Sequence, residues 1–401
     1  MSPMISVADA THAVLDRVPR LGHELVALDA ACGRVLAVDV IATRALPGFA
    51  NSAMDGYAAR SAELPATLPV AAVVAAGQLD VSPVPRSAAV RIFTGAPLPP
   101  GADTVVIQED ATRDGDRVTL PAAPLGDNVR MTGEDVALGE AVLAAGARLT
   151  PWDIGMLAAL GVAHVAVARA PRVALIATGD ELVDVTTPPG PGQLVDSSVH
   201  ALVALVREAG GVAERLGIAR DDLGSLAGRL AAAADHDVVI TTGGVSVGDR
   251  DHVREALAAA GISLELYKVA MKPGKPFAFG MRPGQRPAPV FGLPGNPVST
   301  VVAFELFLRP ALLAMQGATV RARRCATVRV AGGYRKPAGR AHYLRAHVAR
   351  DGEQLIATPH PKQGSAMLSS LIGCNALVVV GVDVTEIAPG APAPAILLEA
   401  V

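Results

Sequence analysis

Aromatic side chains make up only 3% of the 401 residues, with a single tryptophan, so the hydrophobic fraction of 51% rests mainly on small and aliphatic side chains. Cores built this way are packed from alanine and valine rather than stacked rings. Cysteine is scarce as well: Cys32, Cys325 and Cys374 stand far apart and form no C-x-x-C. An odd, scattered set reads as reduced thiols and points to the cytoplasm. The nine histidines show neither H-E-x-x-H nor paired Cys/His spacing, which argues against a zinc site. Neither sign of charge dominates. A net charge of −3 argues against a general nucleic-acid surface or a polybasic membrane patch. No uninterrupted apolar run reaches the roughly 18 residues that span a bilayer, and the N-terminus carries Asp9 instead of a signal-peptide core. The expectation is a cytoplasmic protein of several domains.

Proline and glycine are plentiful, and they punctuate three textures. Residues 6–18 read as an amphipathic helix with Ser6 as cap and Val7, Ala10, Val14 and Leu15 on one face. Strand-like pieces follow at 24–28 and 35–41. Between 47 and 135 short alternating runs at 70–75, 90–93, 104–108 and 117–120 predict a small, mostly β domain. Two polar knots interrupt it, N-S-A-M-D-G-Y at 51–57 and N-V-R-M-T-G-E-D at 128–135. Thr150, Pro151 and Gly161 then bracket a helix.

From Pro171 apolar strands alternate with helical patterns at α/β spacing, which predicts a mostly parallel sheet with helices on both faces. Strands fall at 173–177, 214–219, 238–240, 264–270, 277–280 and 290–293. Helices start at Ser197, Leu223 and Val253 and after Pro297, with Pro310 as a kink. R-A-R-R at 321–324 reads as a solvated linker. The short strands beyond it, at 326–330, 344–348, 355–357, 376–380 and 395–398, suggest a β barrel.

The chemistry concentrates in the second texture. Val238-Val239-Ile240 breaks into Thr241-Thr242-Gly243-Gly244, followed by Ser246, Asp249 and Asp251. A glycine turn between a strand and a helix can aim backbone N–H groups at an anion. An ordinary strand–helix connection would look the same. The nearby carboxylates suggest a divalent cation between them and the ligand. Further on, Lys268, Lys272 and Lys275 crowd a loop stiffened by Pro273, Gly274 and Pro276. If 264–270 is one strand, Lys268 and Lys272 share a face. In G-L-P-G-N-P-V-S, Asn296 caps a helix starting at Pro297 and bringing Ser299 to a second N-terminus. Carboxylates recur at loop tips: Asp55, Asp135, Glu181, Asp221 and Asp251. Asp180 and Asp222 read as helix caps, which leaves Glu181 and Asp221 for a crevice at the strand ends. Lysines for anions and carboxylates for magnesium fit phosphoryl chemistry.

Seven stretches, S-A-M-D-G-Y-A, F-T-G-A-P-L-P-P-G-A-D, R-M-T-G-E-D-V, A-T-G-D-E-L, T-T-G-G-V-S-V-G-D, K-P-G-K-P-F-A-F-G and G-L-P-G-N-P-V-S, occur in the order found in molybdopterin molybdenumtransferases. The chain resembles these MoeA-type enzymes, relatives of the gephyrin E domain, along its whole length, down to H-P-K-Q-G-S-A-M-L-S-S. The resemblance implies a central three-layer α/β/α doubly wound domain, similar to molybdopterin adenylyltransferases, over 171–318. It also implies a discontinuous dimerisation domain of 1–45 and 138–170, a mostly-β insert over 46–137 and a C-terminal β-barrel over 319–401.

The activity it implies is insertion of molybdate into adenylated molybdopterin with release of AMP, with Mg2+ as cofactor. The implied catalytic positions are Asp55, Thr94, Asp135, Glu181, Asp221, Asp251, Lys268 and Lys272, with Glu181 and Asp251 as magnesium ligands. Substrate would be held by Gly243, Gly244, Ser246, Lys272, Lys275, Pro276, Pro294, Pro297, Ser299, Arg345 and Ser370. A homodimer would bring Asp55 over the neighbouring crevice, and the adenylyltransferase would be a partner. Asp196-Ser197-Ser198 departs from the family's frequent Asp-Ser-Asn. The alternatives are the adenylyltransferase step itself and a non-catalytic scaffold like gephyrin.

Overall fold

The computed structural model describes residues 4–78, 80–244, 252–284 and 286–399. Its centre is a six-stranded sheet in the order Val212–Ala219, Arg172–Thr178, Val238–Thr242, Ala288–Leu293, Pro276–Arg282 and Ser263–Lys268. The first four strands run parallel and the last two antiparallel. The two-residue period of Val238–Thr242 divides its side chains between two cores. Val238 and Ile240 join Leu175, Phe291 and Leu202 on one face, while Val239 joins Ile176, Leu226 and Leu257 on the other. Helices therefore cover both faces, as the alternation of patterns requires. The helix Val7–Leu15, capped by Ser6, lays Ala10 and Val14 onto the first face.

Five strands close a C-terminal barrel: Ala341–Asp351, Gln354–Pro359, Cys325–Val330, Pro392–Leu397 and Ala376–Val380, which pairs back to the first. Its interior holds alternating small residues such as Val328, Ala346, Val378 and Ala395. In the N-terminal half, a six-stranded sheet runs Thr104–Ile107, Gly56–Ala59, Ala89–Ile92, Ala66–Val74, Arg117–Leu120 and Thr112–Asp114, with a small core on each face. Before and after it the chain is tied together by His23–Ala27 with His164–Ala168 and by Val40–Ile41 with Ala141–Leu143. Thr150 and Asp153 form a reciprocal capping box on the helix Pro151–Ala159.

Several local expectations are corrected. The strand over 264–270 ends at Lys268: Val269 N still donates to Lys275 O (2.9 Å), but Met271 N turns back to Val269 O (2.8 Å), while Ile5 bridges the outer edge, Ile5 N donating to Lys268 O (3.0 Å) and Ala270 N to Ile5 O (2.8 Å). Lys268 and Lys272 thus lie on different strands, and Met271–Lys272 joins the barrel strand through Ala341–His342. Asp180 caps no helix; T-G-D-E-L runs into the strand Leu182–Val183, paired with Leu194–Val195. Ser197 occupies the N-cap of Ser198–Glu208 without a side-chain bond, and Asp196 Oδ1 accepts from Val199 N instead (3.2 Å). Before Pro310 the helix irregularity takes the form of a π turn, Phe304–Leu308.

The R-A-R-R stretch is not simply solvated. Arg323 bonds Glu305, Glu208 and Leu398 O, and Glu305 also holds Arg309 inside the core. The 19-residue helical run Pro297–Met315 has the length and hydropathy to cross a membrane, but 89% of it is buried inside the molecule. Its apolar surface is already used by the sheet.

Candidate functional site

Two adjoining cavities open at the carboxyl ends of the parallel strands, where the strand order reverses on either side of Arg172–Thr178. The larger, about 680 Å³, is lined by Gly179, Glu181, Asp196 to Ser198, Asp221, Thr242 to Gly244 and Gly295 to Pro297. Gly243 has to be glycine: its φ is +89°, and a Cβ there would stand 2.7 Å from Thr178 O. Gly179 lies under the Glu181 carboxylate, where a Cβ would stand 2.6 Å from Oε2.

Two loops present the carboxylates. Asp180 Oδ1 accepts from Asp221 N (3.1 Å), and Arg220 Nη1 donates to Asp180 O (2.8 Å), so the loops of Glu181 and Asp221 are stitched together. Asp222 caps Leu223–Ala232 through Ser225 N at 2.7 Å, as expected. Ser246 and Asp251 lie outside the described residues. Among the described residues no three His, Cys, Asp or Glu side chains gather as a metal centre would need.

The smaller cavity, about 260 Å³, has a different character. Lys272, Pro273, Gly274, Lys275 and Pro276 form one wall, with a cis Lys272–Pro273 bond; Pro294, Asn296 and Ser299 form the floor. The barrel supplies the third side with Arg340, Gln363 and Ser365. Three cations and no carboxylate line it. Asn296 lines both cavities, and its Nδ2 donates to Ser365 Oγ (3.2 Å) rather than capping its own helix. Lys268 lines neither cavity.

Arg345 and Ser370 are brought together, but away from both linings. Arg345 is 1% exposed; its Nε donates to Ser370 Oγ (3.1 Å) and its Nη2 to Lys362 O and Gly364 O. The guanidinium thereby holds the loop that offers Gln363 and Ser365. Burial pushes its pKa down, yet an arginine keeps its charge. His342, paired in register with Lys272, carries no motif that marks it in the sequence. Burial, then the charges of Lys272, Lys336 and Arg340, push its pKa down to about 4, so the ring is neutral near pH 7.

Asp55, Thr94 and Asp135 lie elsewhere within the chain. Thr94 N and Oγ1 each donate to Asp55 Oδ1 at 2.8 Å, which lowers the pKa of that exposed carboxylate. Asp135 borders a separate recess of about 430 Å³ with Pro47, Asn51, Arg130 and Glu134.

The structure is thus an α/β domain with a glycine turn at its switch point, beside a cationic cavity whose third side is a barrel. Comparison with known families narrows the class. Residues 5–161 match the MoeA N-terminal region (domain I and II), 174–314 a probable molybdopterin binding domain, and 327–398 the MoeA C-terminal region (domain IV). The molybdopterin molybdenumtransferase of Nostoc sp. is 41% identical over 79% of this chain and 76% of its own length. Molybdopterin molybdenumtransferase 2 of Mycobacterium tuberculosis is 37% identical over 96% of this chain and 98% of its own. The crystal structure of the molybdopterin biosynthesis MoeA protein of Pyrococcus horikoshii OT3 superposes with a TM-score of 0.85 at 31% identity, covering 98% of this chain and 100% of that one. The chain belongs to the MoeA family of molybdopterin molybdenumtransferases and is a transferase of molybdenum-cofactor biosynthesis.

Proposed function

We propose that the chain inserts molybdate into adenylated molybdopterin with release of AMP, and that its two adjoining cavities divide the substrates between them. The segregation of charge carries this reading. The large cleft offers a glycine turn and the carboxylates Glu181 and Asp221, whereas the small cavity offers Lys272, Lys275 and Arg340 with no carboxylate. Molybdate is a dianion and the adenylated pterin carries phosphates, so the two repel on approach. Fixed cations in a partly enclosed cavity offset that repulsion without reorganising. Gly243 and Gly244 let the backbone close on the phosphate side, and Asn296, in the shared wall, stands between the two substrates.

Glu181 and Asp221 are hard oxygen donors of the kind Mg2+ takes together with water and phosphate oxygens. When bound, the ion supplies charge neutralisation at the phosphates. We assign Asp55, Thr94 and Asp135 to a site completed across a homodimer. The exposed apolar residues Phe49, Met54, Phe93 and Met131 in the same region support this, as a surface for a second copy. The adenylyltransferase that makes the substrate would deliver it to the large cleft, and the three unpaired thiols agree with work in the cytoplasm.

The test is AMP release from adenylated molybdopterin by purified protein with molybdate and Mg2+. Lys272→Ala is expected to lower turnover by at least tenfold; unchanged turnover would refute the anion assignment. Adenylation of molybdopterin from ATP by the chain alone would instead favour the adenylyltransferase reading, and binding without turnover a scaffold.

A further inference from the structure

The geometry points to Arg340 as the residue through which the barrel domain grips the oxyanion, making it a determinant of affinity for molybdate. The inference rests on the reading of the small cavity as the molybdate pocket and adds to it a residue from a different domain.

Arg340 reaches the cavity because of strand pairing. Ala341 and His342 pair in parallel with Met271 and Lys272, and Ala341 N donates to Ala270 O at 2.8 Å. The residue just before that pairing is Arg340, which is therefore held beside the lysine turn rather than left to swing with the barrel. Its side chain lines the cavity with Lys272 and Lys275, and no carboxylate shares that lining. It takes part in no ion pair among the described residues, although the other arginines next to it in fold and sequence, Arg335 and Arg345, are both bonded. His342, next to Ala341 on the same strand, stays neutral mainly because it is buried, with Lys272, Lys336 and then Arg340 adding to the effect.

Three uncompensated cations in a cavity of about 260 Å³ repel one another. A tetrahedral dianion removes that repulsion. Guanidinium adds what the lysines lack: a planar fork whose two N–H groups meet two oxygens of one anion. The lysines come from the α/β domain and the fork from the barrel, so the anion pocket is complete only when both are docked. Gln363 and Ser365, held by buried Arg345, set the far edge.

The experiment compares wild type, Arg340→Ala and Arg340→Lys. Molybdate is titrated at saturating adenylated molybdopterin, and molybdate and tungstate binding is measured by calorimetry without the pterin. The expected result is a molybdate KM raised tenfold or more in the alanine variant and several-fold in the lysine variant. KM for the pterin should stay near wild type. Anion affinity should fall in parallel, for tungstate as for molybdate.

A further readout is the His342 ring, followed by NMR. Its pKa should rise from about 4 when Arg340 is removed. In wild type it should also rise on adding molybdate, as the anion offsets the neighbouring cations. A molybdate KM and calorimetric affinity within twofold of wild type in Arg340→Ala would overturn the inference. Should that variant not fold, the lysine variant decides by the same criteria. If wild type binds molybdate but releases no AMP, the proposed reaction fails while the calorimetry still judges Arg340.

Discussion

Replacing Gly243 by alanine tests whether the glycine turn is required by its surroundings or merely tolerated there. A φ of +89° costs an L side chain about 1–2 kcal/mol. The new Cβ would also stand 2.7 Å from Thr178 O and 2.8 Å from Thr178 Oγ1, well inside ordinary contact. Those atoms belong to the neighbouring strand and cannot swing aside like the end of a flexible side chain. Moving them loosens the Thr178 Oγ1 to Thr242 O bond of 3.0 Å, worth about 1 kcal/mol. The combined loss is about 2–3 kcal/mol.

Gly192→Ala is the control: its φ is +78° with nothing within 4 Å, so it bears only the backbone cost. Hydrogen exchange of the Val238–Thr242 amides reads the stability of the sheet, and calorimetry with AMP reads the turn. Gly243→Ala should lose protection beyond the control, and AMP affinity should drop at least tenfold while the control binds normally. Equal protection and equal AMP affinity in the two variants would refute the argument that close packing against Thr178 sets this turn.

Other perturbations probe the supports of the site. Glu305, with a side chain 2% exposed, neutralises Arg309 and Arg323. Glu305→Ala strands buried arginine charge and should cost about 3–5 kcal/mol, near the lower end because Glu208 remains within 2.9 Å of Arg309. Chemical denaturation checks this, and Glu305→Leu with Arg309→Met should recover much of the loss. For His342, the folded pKa of about 4 lies below the ordinary 6.5, so between these values the unfolded chain binds the proton that the folded chain refuses. Stability should therefore fall as pH drops from about 6.5 towards 4, and His342→Gln should remove that share of the slope in denaturation at pH 7 and pH 5.

What is legible in the sequence is local. The α/β alternation, the β insert and the barrel follow from apolar periods of two and of 3.6, and these survive whatever the neighbouring domains do. The glycine turn and the lysine loop are legible for a related reason. Glycine marks a backbone demand, and proline fixes the loop that carries the lysines, so each motif holds its own shape. Asp222 reads correctly as a cap because the helix it serves begins at the next residue. Asp180 does not, because a capping aspartate and a loop-bridging one look alike until a partner from another loop, here Asp221 N, is in place.

Side-chain destinations are a different matter. Lys268 and Lys272 share no strand, because the chain turns at Val269–Met271 and Lys272 pairs with the barrel strand instead. Arg345 resembles a ligand-binding residue by its motif, yet it is buried and bonded to Ser370. Arg340, with no motif to mark it, lines the anion cavity. The basic stretch at 321–324 reads as a linker until Glu305 and Glu208 are brought to Arg323. By itself the sequence determined the elements, the domain textures and the chemical kinds of group at the strand ends, because these depend on residues near one another in the chain. Only the tertiary structure decided which charges face the same space, because that depends on strand pairing and on carboxylates arriving from distant segments to cancel some cations and leave others uncompensated.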